Sequence, residues 1–152
     1  MAGIAEQRDP SFWRAVIDHP QVKPHVTLGH AFDVAPLVAS ARVLPLASEN
    51  GGFLMVQLDG IGRVFELHTM FRPEGWGREV LLALKDACEM MFCERGAQII
   101  TTYEVATNKR SQPPKTFRFQ PAGDFEPCDY GDFRSWVLTK ADWLTSPARR
   151  SM

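Results

Sequence analysis

Arg63-Val64-Phe65-Glu66-Leu67-His68-Thr69-Met70-Phe71, running straight into Arg72-Pro73-Glu74-Gly75-Trp76-Gly77, decides the fold of this chain. A period of two places Phe65, Leu67 and Phe71 on one face of a strand and Val64, Glu66, His68 and Met70 on the other. One face is built for burial, and the other carries two titratable groups side by side. Upstream, Phe53–Leu58 also reads as a strand. Asp59-Gly60-Ile61-Gly62 between the two is a hairpin signal, because glycine tolerates the positive φ of tight turns. Downstream, the glycine-rich run opens a helix of about residues 77–95, with Val80, Leu84, Ala87, Cys88 and Met91 at helical spacing. Gly96 ends that helix and Arg95 complements its dipole. Gln98–Val105, rich in isoleucine and threonine, is the next strand. Strand, glycine loop, helix and strand form a βαβ-type unit.

The flanks complete a mixed α/β order. Asp9, Pro10 and the stripe Phe12, Trp13, Val16 and Ile17 predict a helix over residues 10–18, broken by the prolines at 20 and 24. Val34–Ala39 suits a short helical piece and Val43–Ala47 a strand. Pro113-Pro114 would start a short helix ending near Phe119. Gly123–Pro127 and Phe133–Lys140 read as two further strands, and Ala141–Thr145 as a last helical turn.

The chain has 152 residues, the size of one domain, predicted over residues 1–145 with a loose tail over 146–152. Seventeen basic residues face eighteen acidic ones, so the net charge of −1 gives no electrostatic reason to bind nucleic acid or an anionic membrane. No apolar run approaches the ~18 residues of a membrane span, and the N-terminus lacks the basic-then-apolar order of a secretory signal. A cytoplasmic location is the expectation. Three cysteines do not make a disulfide framework, and His19, His25 and His30 match no metal-ligand spacing, so no metal is expected.

The glycine loop is the strongest chemical feature. A helix N-terminus presents amides without intrahelical acceptors and a partial positive charge, so it attracts anions. Arg72 and Arg78 flank the loop and suit phosphate, although the same residues also suit a plain strand-to-helix turn. The spacing is neither GxxxxGK[ST] nor GxGxxG, which argues against a nucleoside triphosphatase or a dinucleotide oxidoreductase.

Over roughly residues 9–140 the sequence resembles the GNAT acyltransferase superfamily. The carrying residues are Arg72-Pro73-Glu74-Gly75-Trp76-Gly77, which match the family's [QR]-x-x-G-x-[GA] loop, together with Asn108 and Phe117-Arg118-Phe119, where the family often has Gly-Phe. His68-Thr69-Met70-Phe71 and Pro73-Glu74 look most like GNAT-like proteins of bacteriophages and prophages. The resemblance implies a mostly antiparallel central sheet with helices on both faces, acetyl-CoA as co-substrate, and an amine of a small molecule or protein as acceptor. It implies a pyrophosphate held by Arg72, Gly75, Trp76, Gly77 and Arg78 with Asn108 nearby, and a thioester carbonyl held by the amides of Met70 and Phe71. Glu66 or His68 would be the base. A second register, aligned on Pro-Glu, makes the loop Trp76-Gly77-Arg78-Glu79-Val80-Leu81 and puts Glu79 and Leu81 at the glycine positions. Pro113-Pro114-Lys115 stands where many relatives carry the tyrosine that protonates the departing thiolate, leaving Tyr130 as the nearby candidate. The rival expectation is a non-catalytic virion, assembly or host-interaction module, with a homodimer or an assembly partner.

Overall fold

A computed structural model describes residues 3–27, 33–127 and 131–152. Where the sequence predicts a single domain, the chain clusters into two compact units, Met1–Val56 with Leu67–Ala87, and Gln57–Glu66 with Cys88–Met152. The boundaries fall inside two strands and one helix.

The first unit opens with β1 (Ala5–Glu6), α1 (Pro10–Ile17), α2 (Lys23–Thr27) and α3 (Ala35–Ala39). Asp9 caps α1, accepting from the Ser11 amide at 2.9 Å, and Trp13, Val16 and Ile17 are the buried stripe. β2 (Val43–Ser48) pairs antiparallel with β1 and with β3 (Gly51–Gln57). The sequence starts β3 at Phe53; the structure starts it two residues earlier, because Gly51-Gly52 is extended backbone packed hard against its neighbours. A β-carbon on Gly52 would collide with the Leu46 carbonyl.

β4 (Val64–Phe71) belongs to both units, Val64–Glu66 to the second and Leu67–Phe71 to the first. At the hairpin end the Leu58 amide donates to the Val64 carbonyl at 2.9 Å, and at the far end the Arg72 amide donates to the Asn50 carbonyl at 2.8 Å. Those two bonds fix β3 and β4 as antiparallel. Asp59 secures the turn, accepting from the amides of Gly62, Arg63 and Val64. The predicted alternation holds through Leu67 and then fails: His68 and Thr69 are both exposed, while Met70 and Phe71 are both buried. Met70, expected on the polar face, joins the apolar cluster of Trp13, Val16, Val38, Val43 and Leu54. Phe71 meets Phe53 edge-on at 5.4 Å. Apolar side chains cover both faces of the strand's end, so period two stops marking inside and outside there.

After a 3-10 turn at Pro73–Gly75 comes α4 (Arg78–Glu89), continued by a π-turn over Met90–Glu94 that buries the adjacent Met91 and Phe92. The predicted helix is therefore two kinds of helix. Gly96 ends it, with the Ala97 amide on the Met91 carbonyl at 2.9 Å.

The second unit holds β5 (Ile99–Val105), β6 (Gln120–Pro121), β7 (Phe133–Thr139), α5 (Lys140–Leu144) and α6 (Pro147–Arg150). β5 runs parallel to β4 through Val64↔Ile99, Phe65↔Ile100 and Glu66↔Thr101, and antiparallel to β7 along its whole length. The strand order is β1-β2-β3-β4 in the first unit and β4-β5-β7-β6 in the second. The class is mixed α/β, with a mostly antiparallel seven-stranded sheet.

Three expectations in this unit are corrected. The strand over Gly123–Pro127 is only a bridge between Glu126 and Phe133; β7's partner is Gln120–Pro121, and Gly123 at φ +102° breaks the extended run. The helix from Pro113 to Phe119 is one 3-10 turn, Lys115–Phe117. The tail expected to be loose from Ser146 is docked: Ser146 caps α6, Ala148 is buried, and Arg149 grips Glu89 with bonds of 2.9 and 3.0 Å. Among the described residues, no helix is long and apolar enough to cross a membrane.

Candidate functional site

The loop between β4 and α4 is shaped by its own hydrogen bonds. The Gly75 amide donates to the Arg72 carbonyl at 2.9 Å and the Trp76 amide to the Pro73 carbonyl at 3.1 Å. Two of the amides expected to face a diphosphate are therefore already bonded. Gly77 follows at φ +91°, a backbone that strongly favours glycine, and turns the chain into α4. The amides that a helix leaves without intrahelical acceptors are those of its first turn, here Arg78, Glu79 and Val80. The Trp76 indole folds back and donates to the Phe71 carbonyl at 2.9 Å.

Of the two flanking arginines, Arg72 is used internally. It donates to the Glu49 carbonyl at 3.2 Å and to Asn50 Oδ1 at 3.1 Å, and its Nε is buried with no partner among the described residues. Arg78 is exposed and lines an open depression of about 530 Å³ together with Ser48, Glu49, Glu74, Trp76 and Glu79.

Glu79 dominates this corner electrostatically. Its carboxylate accepts from the Asn50 amide at 2.8 Å, from Asn50 Nδ2 at 2.7 Å and from Ser48 Oγ at 2.9 Å. Burial raises its pKa, but those three donors and the Arg72 charge outweigh burial and hold it below the usual carboxylate value. The carboxylate so ties the β2–β3 turn to the start of α4, with Oε1 3.2 Å from where a Gly75 β-carbon would stand.

Strand geometry sorts the two amides expected at the thioester carbonyl. The Met70 carbonyl lies against Gly51, and the Arg72 amide bonds Asn50, so even-numbered residues at this end of β4 turn their backbone groups to β3. Phe71 turns its amide to the opposite side. Of the pair, Phe71 fits the donor role and Met70 does not. The parallel ladder with β5 ends at Glu66↔Thr101, although β4 continues to Phe71 and β5 to Val105.

The predicted base residues have different surroundings. Glu66 is half-buried, and its Oε2 accepts from the Tyr103 hydroxyl at 3.0 Å. Tyr103, on β5, is pushed up in pKa by burial and by Glu66, and its ring meets Phe133 edge-on at 5.6 Å. His68 is exposed. Asn108 is engaged locally, its side chain accepting from the Arg110 amide at 3.1 Å at the head of a 3-10 turn. Tyr130 lies outside the described residues. Sequence reasoning missed both Glu79 and Tyr103. The second loop register pointed at Glu79; the strand parity that sets Tyr103 beside Glu66 becomes readable only once β4 and β5 are known to be parallel neighbours.

No family model and no curated protein matches this sequence. Solved structures do. An acetyltransferase of the GNAT family from Bacillus anthracis superposes with a TM-score of 0.69 at 15% identity, covering 91% of this chain and 94% of that one. A GCN5-related N-acetyltransferase from Brucella melitensis gives 0.70 at 14% identity, with 97% and 79% covered. A spermidine N-acetyltransferase SpeG chimera from Vibrio cholerae and hSSAT gives 0.66 at 15% identity, with 93% and 97% covered. The fold is that of the GNAT acetyltransferases.

Within a GNAT fold, two departures become legible. Arg118 adopts a left-handed backbone, φ 72°, at the place where the resemblance noted in the sequence implies the glycine of Gly-Phe. α4 begins at Arg78, so its first-turn amides coincide with Trp76-Gly77-Arg78-Glu79-Val80-Leu81, the second register, rather than with Gly75 and Trp76.

Proposed function

We propose that the chain is a CoA-dependent N-acyltransferase, moving an acetyl group from acetyl-CoA to an amine of a small molecule or protein. What carries this reading is that, in a GNAT fold, β4 outruns its parallel ladder and leads through a glycine turn into the first turn of α4 beside an exposed Arg78. The residues fit an anionic acyl donor at that first turn, not at Gly75 and Trp76, whose amides are spent. The donor supplies an acetyl group already activated as a thioester. Arg78 and the amides of Arg78, Glu79 and Val80 hold its diphosphate by charge-assisted bonds. The Phe71 amide takes up the charge that grows on the carbonyl oxygen. Glu66 accepts a proton from the acceptor amine, with His68 as the other candidate base. A protonated amine suits a site bearing Glu66, and spermidine, the substrate named for one structural neighbour, heads the acceptors to try.

A second reading has its own support. Glu49, Glu74 and Glu79 surround the depression that Arg78 lines, and like charge opposes a diphosphate there. That favours a GNAT-fold module without catalysis, serving as a virion, assembly or host-interaction module. Release of free thiol from acetyl-CoA, followed with a thiol reagent across a panel of primary amines and polyamines, separates the two. The acyltransferase reading expects thiol release matched by acetylated amine in the mass spectrum; no release with any amine contradicts it.

A further inference from the structure

The net charge of −1 averages over an uneven chain. Residues 105–123 carry four cations, Lys109, Arg110, Lys115 and Arg118, and no acidic residue, which leaves thirteen basic residues against eighteen acidic ones elsewhere. The whole stretch lies in the second unit. Two 3-10 turns shape it, Lys109–Ser111 and Lys115–Phe117, with only Gln112, Pro113 and Pro114 between them. Asn108 caps the first turn. Phe117 and Phe119 are buried, and the Phe117 ring lies 5.4 Å from that of Trp143, so the second turn is pinned to the core. All four cations are exposed. α6 packs on the second turn and adds the exposed Arg150.

Arg118 shows that this surface is more than solvated charge. Among the described residues it is the one non-glycine residue with a positive φ, a backbone that glycine adopts without strain and arginine does not. Its guanidinium donates to the neutral Thr145 hydroxyl at 3.1 Å, an exposed bond too weak to account for keeping arginine there. A strained residue that adds little to the fold marks a functional position. The exposed neighbours Gln112, Thr116 and Gln120 are hydrogen-bond donors as well, whereas Pro113, Phe117 and Phe119 are buried. A protein interface needs an apolar anchor at its centre, and this stretch offers none. Cations with neutral donors between them suit a row of phosphates. We propose that residues 108–120 bind the phosphate backbone of a nucleic-acid strand without reading its bases. Short 3-10 turns present no long helix or β-ribbon to enter a groove, so contact stays on the backbone. The proposal does not rest on the acyltransferase reading.

Fluorescence anisotropy of labelled single-stranded RNA and DNA of one sequence, titrated with the full chain, tests it. Four phosphates neutralised on a single strand give log K against log salt a slope of about −2.8, so affinity should fall about 50-fold between about 50 and 200 mM salt. A rise in anisotropy with both strands marks the shared backbone, and a rise with RNA alone adds contacts to the ribose; either supports the proposal. Arg118→Gly should bind more weakly, with a slope shallower by about 0.7, although its urea midpoint stands at or above the wild-type value. Lys109→Glu combined with Lys115→Glu, both at exposed positions, should abolish binding. No binding by the wild type, a salt-independent affinity, or wild-type binding by Arg118→Gly overturns the proposal. So does equal binding of polyglutamate, which would assign the surface to an acidic protein instead.

Discussion

Arg118 holds a left-handed backbone that a β-carbon disfavours by about 1 kcal/mol. What it gains there is an exposed hydrogen bond to Thr145 Oγ1 at 3.1 Å. Arg118→Gly should therefore raise stability by about 0.5–1 kcal/mol, read as a higher urea midpoint at unchanged m-value. A lower midpoint would contradict the strain. Glu79 offers the opposite case. Its pKa is lower in the folded chain than the ordinary 4.5, so its contribution is complete above that value and is lost as pH falls through the folded one. Glu79→Gln should cost about 1 kcal/mol at neutral pH and flatten the acid side of the stability profile, measured by denaturant melts from about pH 6 to 3. Gly75→Asp, the obvious probe of the loop, is a poor one: its β-carbon would stand 3.0 Å from both Asn50 Cβ and Phe71 Cδ1, so loss of fold would mask loss of binding. Arg78→Glu is the better probe, since an acidic residue suits a helix's first position and the side chain is exposed.

Elements differ in how far their sequence betrays them. β4, the hairpin turn and the start of α1 follow from local rules, namely alternation, glycines and a capping aspartate, and the structure repeats them. The end of β4 does not, because whether Met70 faces core or solvent depends on which helices cover the strand, a fact stored in distant residues such as Trp13 and Val38. α6 misled for the same reason. Pro-Ala-Arg-Arg carries no apolar stripe, and its order comes from an ion pair with Glu89, sixty positions away in the chain. Arg149 bonding takes the Glu89 pKa down from 4.5 to about 2. The clasp is thus complete above about pH 4.5 and is lost as pH falls towards 2. With side chains 38% and 30% exposed, solvent screening limits it. Glu89→Gln should cost about 1 kcal/mol and expose α6 to proteolysis, whereas unchanged cleavage near residue 146 would show that α6 docks without the clasp.

At the scale of the molecule, the order of elements and the antiparallel sheet were legible, since strand, glycine loop, helix and strand leave few topologies. The candidate site was half legible. For the proposed site the resemblance supplies Glu66 and Arg78, whereas bonded amides at Gly75 and Trp76 move the proposed diphosphate donors to the first turn of α4, and strand direction moves the proposed carbonyl donor from Met70 to Phe71. These are matters of backbone direction, which residue types alone do not encode. The central claim is that this GNAT fold holds an acyl donor at the α4 N-terminus. It is tested by the melting temperature with and without millimolar acetyl-CoA, for the wild type and Arg78→Glu. A donor at a hundred times its Kd adds about 2.7 kcal/mol, so the wild type should gain about 5–10 °C and Arg78→Glu almost none. No shift in the wild type, or an equal shift in both proteins, would contradict the claim.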